Sequence, residues 1–144
     1  MPTGQRYSLY RLTYQSRSTL VGEQNLQIAA IQDILRQSRH LNLRHGVSGI
    51  LLYNQHSYFQ VLEGRKAAVE LIFRNILRDK RHTDIVPLQR DQVDIRIFHS
   101  WSMAYKELPC GSAWPDYPIR DFPTKLLADR VNTTPEMKAF KLPA

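Results

Sequence analysis

The chain has 144 residues, 42% of them hydrophobic and 10% aromatic, enough for one domain with one core and too few for a second domain. Its single cysteine, Cys110, excludes an internal disulfide and a cysteine-based zinc cluster, and no apolar run approaches the roughly 20 residues of a membrane-spanning helix. With 20 Lys and Arg against 13 Asp and Glu, the net charge of +7 favours an anionic partner without naming one.

The opening MPTGQRYSLY lacks the apolar stretch of a signal peptide, so a cytoplasmic location without membrane contact is expected. Residues 7–16 alternate, with Tyr10, Leu12 and Tyr14 on one side and Arg11 and Thr13 on the other, the period of a strand packed on one face. From about residue 23 to 40 the period becomes helical. Ile28, Ile31 and Leu35 form a stripe flanked by Ile34, and it runs on into Ser38, Leu41 and Asn42. HGVSGILLY (45–53) and SYFQVLEG (57–64) flank a turn-like NQH and read as a β-hairpin. A second helical stripe over 66–82 passes through Val69, Ile72, Phe73 and Ile76. Two strands follow, near 84–93 and 96–107, and Pro87 makes the first an edge strand or a bulged one because it cannot donate to a ladder.

Six of the eight prolines lie between Pro109 and Pro143, so regular structure should be dense up to residue 108 and broken afterwards. The expected division is a core domain over 5–108 and an extension over 109–144. Short helical signals at 122–131 and 134–140 make the extension a cap over the exposed sheet face or an oligomer contact. Strand, helix, strand, strand, helix, strand, strand gives an α+β fold, a ferredoxin-like βαββαββ sandwich. Its mixed five-stranded sheet carries both helices on one face. The order leaves the place of the fifth strand open.

Gln60 is the odd residue in this scheme. A buried primary amide has four hydrogen-bonding sites to satisfy, at roughly 1–3 kcal/mol for each left unmet. Taken alone, Gln60 reads as an exposed strand residue and Tyr14 as a core-edge tyrosine. Met103 and Trp101 read as packing residues, and residues 78–82 as a basic helix end complementing the dipole. Together the reading changes. Tyr14 and Gln60 would lie on neighbouring strands, facing the same way, beneath a groove whose helical walls carry Ser38 and Asn42. A phenol, two amides and a hydroxyl converging on an apolar groove describe a preorganised site for a planar polar ligand.

Five stretches, LYRLTYQSR (9–17), SRHLNLRHGVSGILLY (38–53), FQVLEG (59–64), RDKRH (78–82) and WSM (101–103), resemble the BLUF domains, blue-light sensors that use a flavin. The resemblance implies the same ferredoxin-like fold and noncovalent binding of oxidised FAD, with FMN or riboflavin as alternatives. It implies that Tyr14 is the redox-active tyrosine and that Gln60 sits between its phenol and the flavin N5 and C4=O. Asn42 would pair with the C4=O and N3–H edge, Ile34 and Ile76 would clamp the ring, and Arg81 and His82 would lie near its pyrimidine edge and ribityl chain. Ser38 and Asn75 complete the expected cofactor-binding set, and Trp101 and Met103 would compete for the place beside Gln60 and carry the signal. Leu41 and Asn75 depart from the family, standing where Asn or His, and Arg or His, occur.

The implied photocycle passes an electron and then a proton from Tyr14 through Gln60. The amide returns rotated or tautomerised, with a stronger bond at C4=O and a slight red shift. The output would be to another protein, with homo-oligomerisation expected and no catalytic activity in the chain itself. Two rivals share the strand order: a single-stranded RNA-binding module of RRM type and a small acylphosphatase-like enzyme. SYFQVLEG lacks the RRM third-strand pattern, and QSRSTLVGEQN (15–25) offers one Arg and no glycine-rich anion nest. No nucleic acid is therefore expected as partner. His40, His45, His56 and His99 show no ligand spacing, so no metal is expected.

Overall fold

A computed structural model describes residues 9–98 and 102–126. Five strands and three helices alternate as β1 (Leu9–Ser18), α1 (Gln24–His45), β2 (Ser48–Tyr53), β3 (Ser57–Arg65), α2 (Lys66–Leu77), β4 (His82–Val93), β5 (Ala104–Glu107) and α3 (Phe122–Lys125), the last preceded by a 3-10 turn, Ile119–Asp121. The sheet order is β4-β1-β3-β2-β5. Strand β1 runs antiparallel to β3 and β4, β2 and β3 form the hairpin, and β5 lies parallel to β2 at the far edge. This is the ferredoxin-like α+β arrangement, and the structure supplies the position of the fifth strand. No described helix is long and apolar enough to cross a membrane.

The alternation of β1 sends Tyr10, Leu12 and Tyr14 into a core shared with Ile31 and Leu35 of α1 and Val69, Ile72 and Phe73 of α2. Cross-strand register then sets one row across this face: Tyr14 opposes Gln60, Gln60 opposes Leu51, and Leu51 opposes Tyr105. A second core forms on the opposite face from Ile50, Leu52, Phe59, Val61 and Phe98. There Phe122 is buried, with Trp114, Tyr117 and Ile119 packed beside it. The Trp114 and Phe122 rings lie 5.6 Å and 6.0 Å from that of Phe59.

Several boundaries differ from those read in the sequence. Helix α1 continues to His45, because Gly46 adopts φ 67° and closes the helix. The Gly46 and Val47 amides both donate to the Asn42 carbonyl, a C-terminal cap that residues with a Cβ enter only at a cost. Residues 45–47 are thus helix end and turn, and β2 starts at Ser48. Helix α2 stops at Leu77 rather than 82. The Asp79 carboxylate accepts the Arg81 backbone N–H at 2.9 Å, a local turn that competes with another helical residue, and His82 becomes the first residue of β4.

Strand β5 is only four residues long. The Ile97 and Phe98 amides donate to the Glu63 carboxylate at 2.9 Å and 2.8 Å instead of joining a ladder. Pro87 proves to lie on an edge strand and beside a bulge, for the β1–β4 register slips between Thr13 and Tyr14. The helical signals at 134–140, and all of 122–131 beyond Leu126, lie outside the described residues.

Candidate functional site

A cavity opens between α1 and α2 above the row holding Tyr14 and Gln60, in the concave, mostly apolar setting of small-molecule sites. Ile34 and Leu41 of α1 and Ile72 and Ile76 of α2 supply its apolar walls, and Leu51 part of its floor. Ser38, Asn42, Asn75, Arg81 and His82 supply polar groups, so every residue expected to bind a planar ligand lines this one cavity.

Tyr14 and Gln60 are 3% and 2% exposed, and the Tyr14 hydroxyl donates to Gln60 Oε1 at 2.5 Å. Burial, assisted by the nearby Tyr58 phenol and Asp79, pushes the Tyr14 phenol far above its ordinary range. The phenol therefore keeps its proton and acts as the donor, which obliges the Gln60 carbonyl to face it. The Gln60 amino end turns the other way, with Met103 Sδ at 3.5 Å. Its amide thus spans Tyr14 and Met103, and either rotation or tautomerisation would exchange donor for acceptor at the same place.

Asn42 is fully buried. Its Nδ2 donates to the Ser102 carbonyl, and its Oδ1 has no hydrogen-bond partner among the described residues. An orphaned buried acceptor costs stability unless something donates to it, so the site fits a ligand with an N–H on its edge, as the pyrimidine ring of an oxidised flavin has.

The basic pair is arranged differently from its position in the sequence. Arg81 is held by Asp79 at 2.8 Å and 2.7 Å and by Asp33 at 2.8 Å, while Gln37 accepts from it at 3.2 Å. These carboxylates, Asp79 first, raise its already high pKa against the opposing effect of burial. Arg81 thereby ties the α2–β4 turn to α1 at the cavity mouth. His82 Nε2 lies 2.7 Å from the Ile76 carbonyl and Nδ1 2.8 Å from Ser16 Oγ. A carbonyl only accepts, so Nε2 carries the hydrogen, and in the neutral ring Nδ1 accepts from the Ser16 hydroxyl. The imidazole presents its edge to both Tyr14 and Tyr58 at 6.0 Å.

The family described as BLUF, sensors of blue-light using FAD, matches residues 9–104. The chain belongs to the BLUF family. It is 35% identical over 81 residues to the blue light- and temperature-regulated antirepressor BluF of Escherichia coli (strain K12), covering 56% of this chain and 20% of that protein. It is 34% identical over 96 residues to the photoactivated adenylate cyclase subunit beta of Euglena gracilis, covering 67% of this chain and 11% of that one. Among solved structures, the dark state of the BLUF protein BlrB superposes with TM-score 0.66 at 31% identity over 92% of this chain and 91% of that one. The BlsA ground state gives TM-score 0.64 at 33% identity over 69% and 65%. The BLUF chain described here is accordingly a flavin-binding blue-light sensor, with FAD the cofactor of its family.

Sequence reasoning missed several lining residues of this BLUF cavity. Gln37, Leu51, Tyr58, Ile72 and Asp79 all line it, and Ser16 and Asp33 orient His82 and Arg81 from outside. Leu51 and Tyr58 were legible in principle, since Leu51 is the cross-strand partner of Gln60 and Tyr58 shares its face two residues earlier on β3. Asp79 carried no pattern of its own. Trp101 lies outside the described residues.

Proposed function

We propose that Tyr14 and Gln60 form the light-responsive relay of this sensor, and the 2.5 Å bond between them carries that reading. A bound flavin would supply light absorption and one-electron chemistry. Ile34 and Ile76 would hold its ring from the two helices, and Asn42 Oδ1 would accept from its edge. Ser38 and Asn75 would border the polar side, and His82, fixed by Ser16 and Ile76, would support Tyr14. Arg81 acts mainly through Asp79 and Asp33, closing the mouth.

Tyr14 holds its proton at rest and yields it toward Gln60 Oε1 on oxidation. Gln60 passes a proton on only if its amide rearranges, and the rearranged amide presents a different donor and acceptor to Met103. Met103 leads directly into β5, so the strand edge is where the change would leave the site. The chain would have no catalytic activity of its own and would signal by association with another protein in the cytoplasm or with a second copy. Among its relatives, the light-sensing region is a small fraction of an antirepressor and of a cyclase subunit. The extension over 109–126, packed on the outer sheet face, would be the part a partner meets.

Gln60→Leu tests the relay. The variant keeps the cavity's shape and should retain flavin. Its dark absorption should be displaced, because one hydrogen bond to the ring is missing, and it should be silent under blue light. A normal reversible red shift in this variant would remove Gln60 from the mechanism.

A further inference from the structure

Asp33 and Gln37 stand one helical turn apart on α1. Gln37 lines the flavin cavity and Asp33 lies just outside its lining. The Gln37 amide donates to Asp33 Oδ2 at 3.0 Å, a contact that the i, i+4 spacing allows. Both side chains then meet Arg81, which comes from the opposite wall of the cavity.

Arg81 is fixed before it reaches α1. Asp79 accepts its Nε and Nη2 hydrogens at 2.8 Å and 2.7 Å and its backbone N–H at 2.9 Å. The Arg81 carbonyl in turn accepts from the Thr19 amide at 3.0 Å, which holds the turn against the end of β1. With the guanidinium plane set in this way, Nη1 donates to Asp33 at 2.8 Å and Nη2 reaches Gln37 Oε1 at 3.2 Å. These bonds join the helix that carries Ile34 and Ser38 to the turn that follows Ile76.

The tie is well aligned and yet open to water. The Arg81 and Asp33 side chains are 24% and 44% exposed, so salt screens the pair and its contribution to overall stability is small. Arg36, 3.6 Å from the other Asp33 oxygen and more exposed, is a looser partner on the same helix. Such a bond breaks and re-forms while the fold around it stays intact.

We propose that Arg81 and Asp33 form a latch across the cavity mouth, one that sets how fast flavin enters and leaves without setting how tightly it is held. Asp33 is a positioning residue that acts through Arg81. The latch rests on the flavin occupying the cavity between α1 and α2, whose walls must part at the mouth for the ring to pass. Because it joins protein to protein, the latch stabilises the closed mouth equally with and without the flavin. Breaking it speeds entry and release by the same factor and leaves their ratio unchanged. A residue that held the flavin directly would speed release alone.

The test starts from the full chain loaded with riboflavin, a neutral flavin whose own charge adds no salt dependence. Dilution releases it, and the fluorescence of the free flavin gives the release rate from its time course and Kd from its final level. Asp33→Asn should release flavin about threefold faster or more, with Kd unchanged within about twofold. The variant should keep the wild-type red shift under blue light, since Asp33 lies outside the cavity lining. Raising sodium chloride should speed release from the wild type, whose ion pair is screened, and have less effect on Asp33→Asn. Unchanged release in the variant, a Kd weakened in proportion to faster release, an equal salt response in both proteins, or loss of the red shift with flavin retained would each overturn the latch. A wild-type chain that retains no flavin would overturn it together with the flavin assignment of the cavity.

Discussion

Single residues hold this site by being buried with little choice of partner. Tyr14, Tyr58 and Tyr105 all face the helix-side core, and burial raises each phenol above its ordinary value. A raised acid stays protonated in the folded state, so its contribution is complete below the unfolded value of about 10 and is lost as pH rises above it. By pH 11 each of these phenols should cost about 1.4 kcal/mol of stability. Urea midpoints at pH 8 and pH 11 measure this, and an unchanged midpoint would mean the phenols ionise in the folded state. Glu63 shows what was legible and what was not. It closes FQVL at the end of the hairpin strand, where the sequence alone marks only its position. Its actual partners, Arg11 at 2.7 Å and the amides of Ile97 and Phe98, come from distant segments with no local signature. The Tyr14 and Gln60 pair was legible because a strand's period of two and one pairing rule suffice to bring them together. The Arg81 clamp was not, since its carboxylates lie on a turn and on another helix.

At the scale of elements, two glycines set the frame around the cavity and should respond differently to the same change. Gly46 stands at φ 67° with open space where a Cβ would go, so Gly46→Ala should cost only the left-handed strain, about 1–2 kcal/mol. A Cβ at Gly49 would lie 1.9 Å from the Val61 carbonyl oxygen. That is a backbone atom in the central hairpin and cannot give way without opening the register that places Gln60. Gly49→Ala should therefore lose flavin retention and most of the cooperative unfolding transition, whereas Gly46→Ala keeps both. Urea unfolding with flavin absorbance as the second probe separates them, and equal effects would contradict the steric account. Strands β1 to β3 and the two helices were readable from periodicity. The ends of α1 and α2 were not, because α1 runs on beyond its apolar stripe until Gly46 closes it, and α2 stops before Asp79, whose carboxylate organises the following turn.

For the whole molecule, the sheet divides two cores. The helix-side core holds the cavity, and the outer core holds Phe122, Trp114 and Tyr117 from the proline-rich segment. Phe122 is 1% exposed, and Phe122→Ala should destabilise the protein by about 3–5 kcal/mol while the flavin spectrum of the folded fraction stays unchanged. A displaced spectrum in folded protein would show that the two faces are coupled through the sheet at rest. The composition change at Pro109 marked this segment as different, but which face it covers depends on the packing of Phe59, Ile50 and Leu52. That apolar face is visible only once β5 is known to extend the sheet at β2.

The central claim is that light drives a change in the Tyr14–Gln60 hydrogen bond, and the light-minus-dark absorption spectrum of Tyr14→Phe tests it most directly. The substitution removes one hydroxyl and keeps the ring packed against Phe73, 5.6 Å away, so flavin should remain bound. Blue light should produce no red shift, flavin fluorescence should rise as quenching by the phenol is lost, and adding Gln60→Leu should leave the light response equally absent, since residues acting as one unit are non-additive. A reversible red shift of wild-type size in Tyr14→Phe would contradict the account.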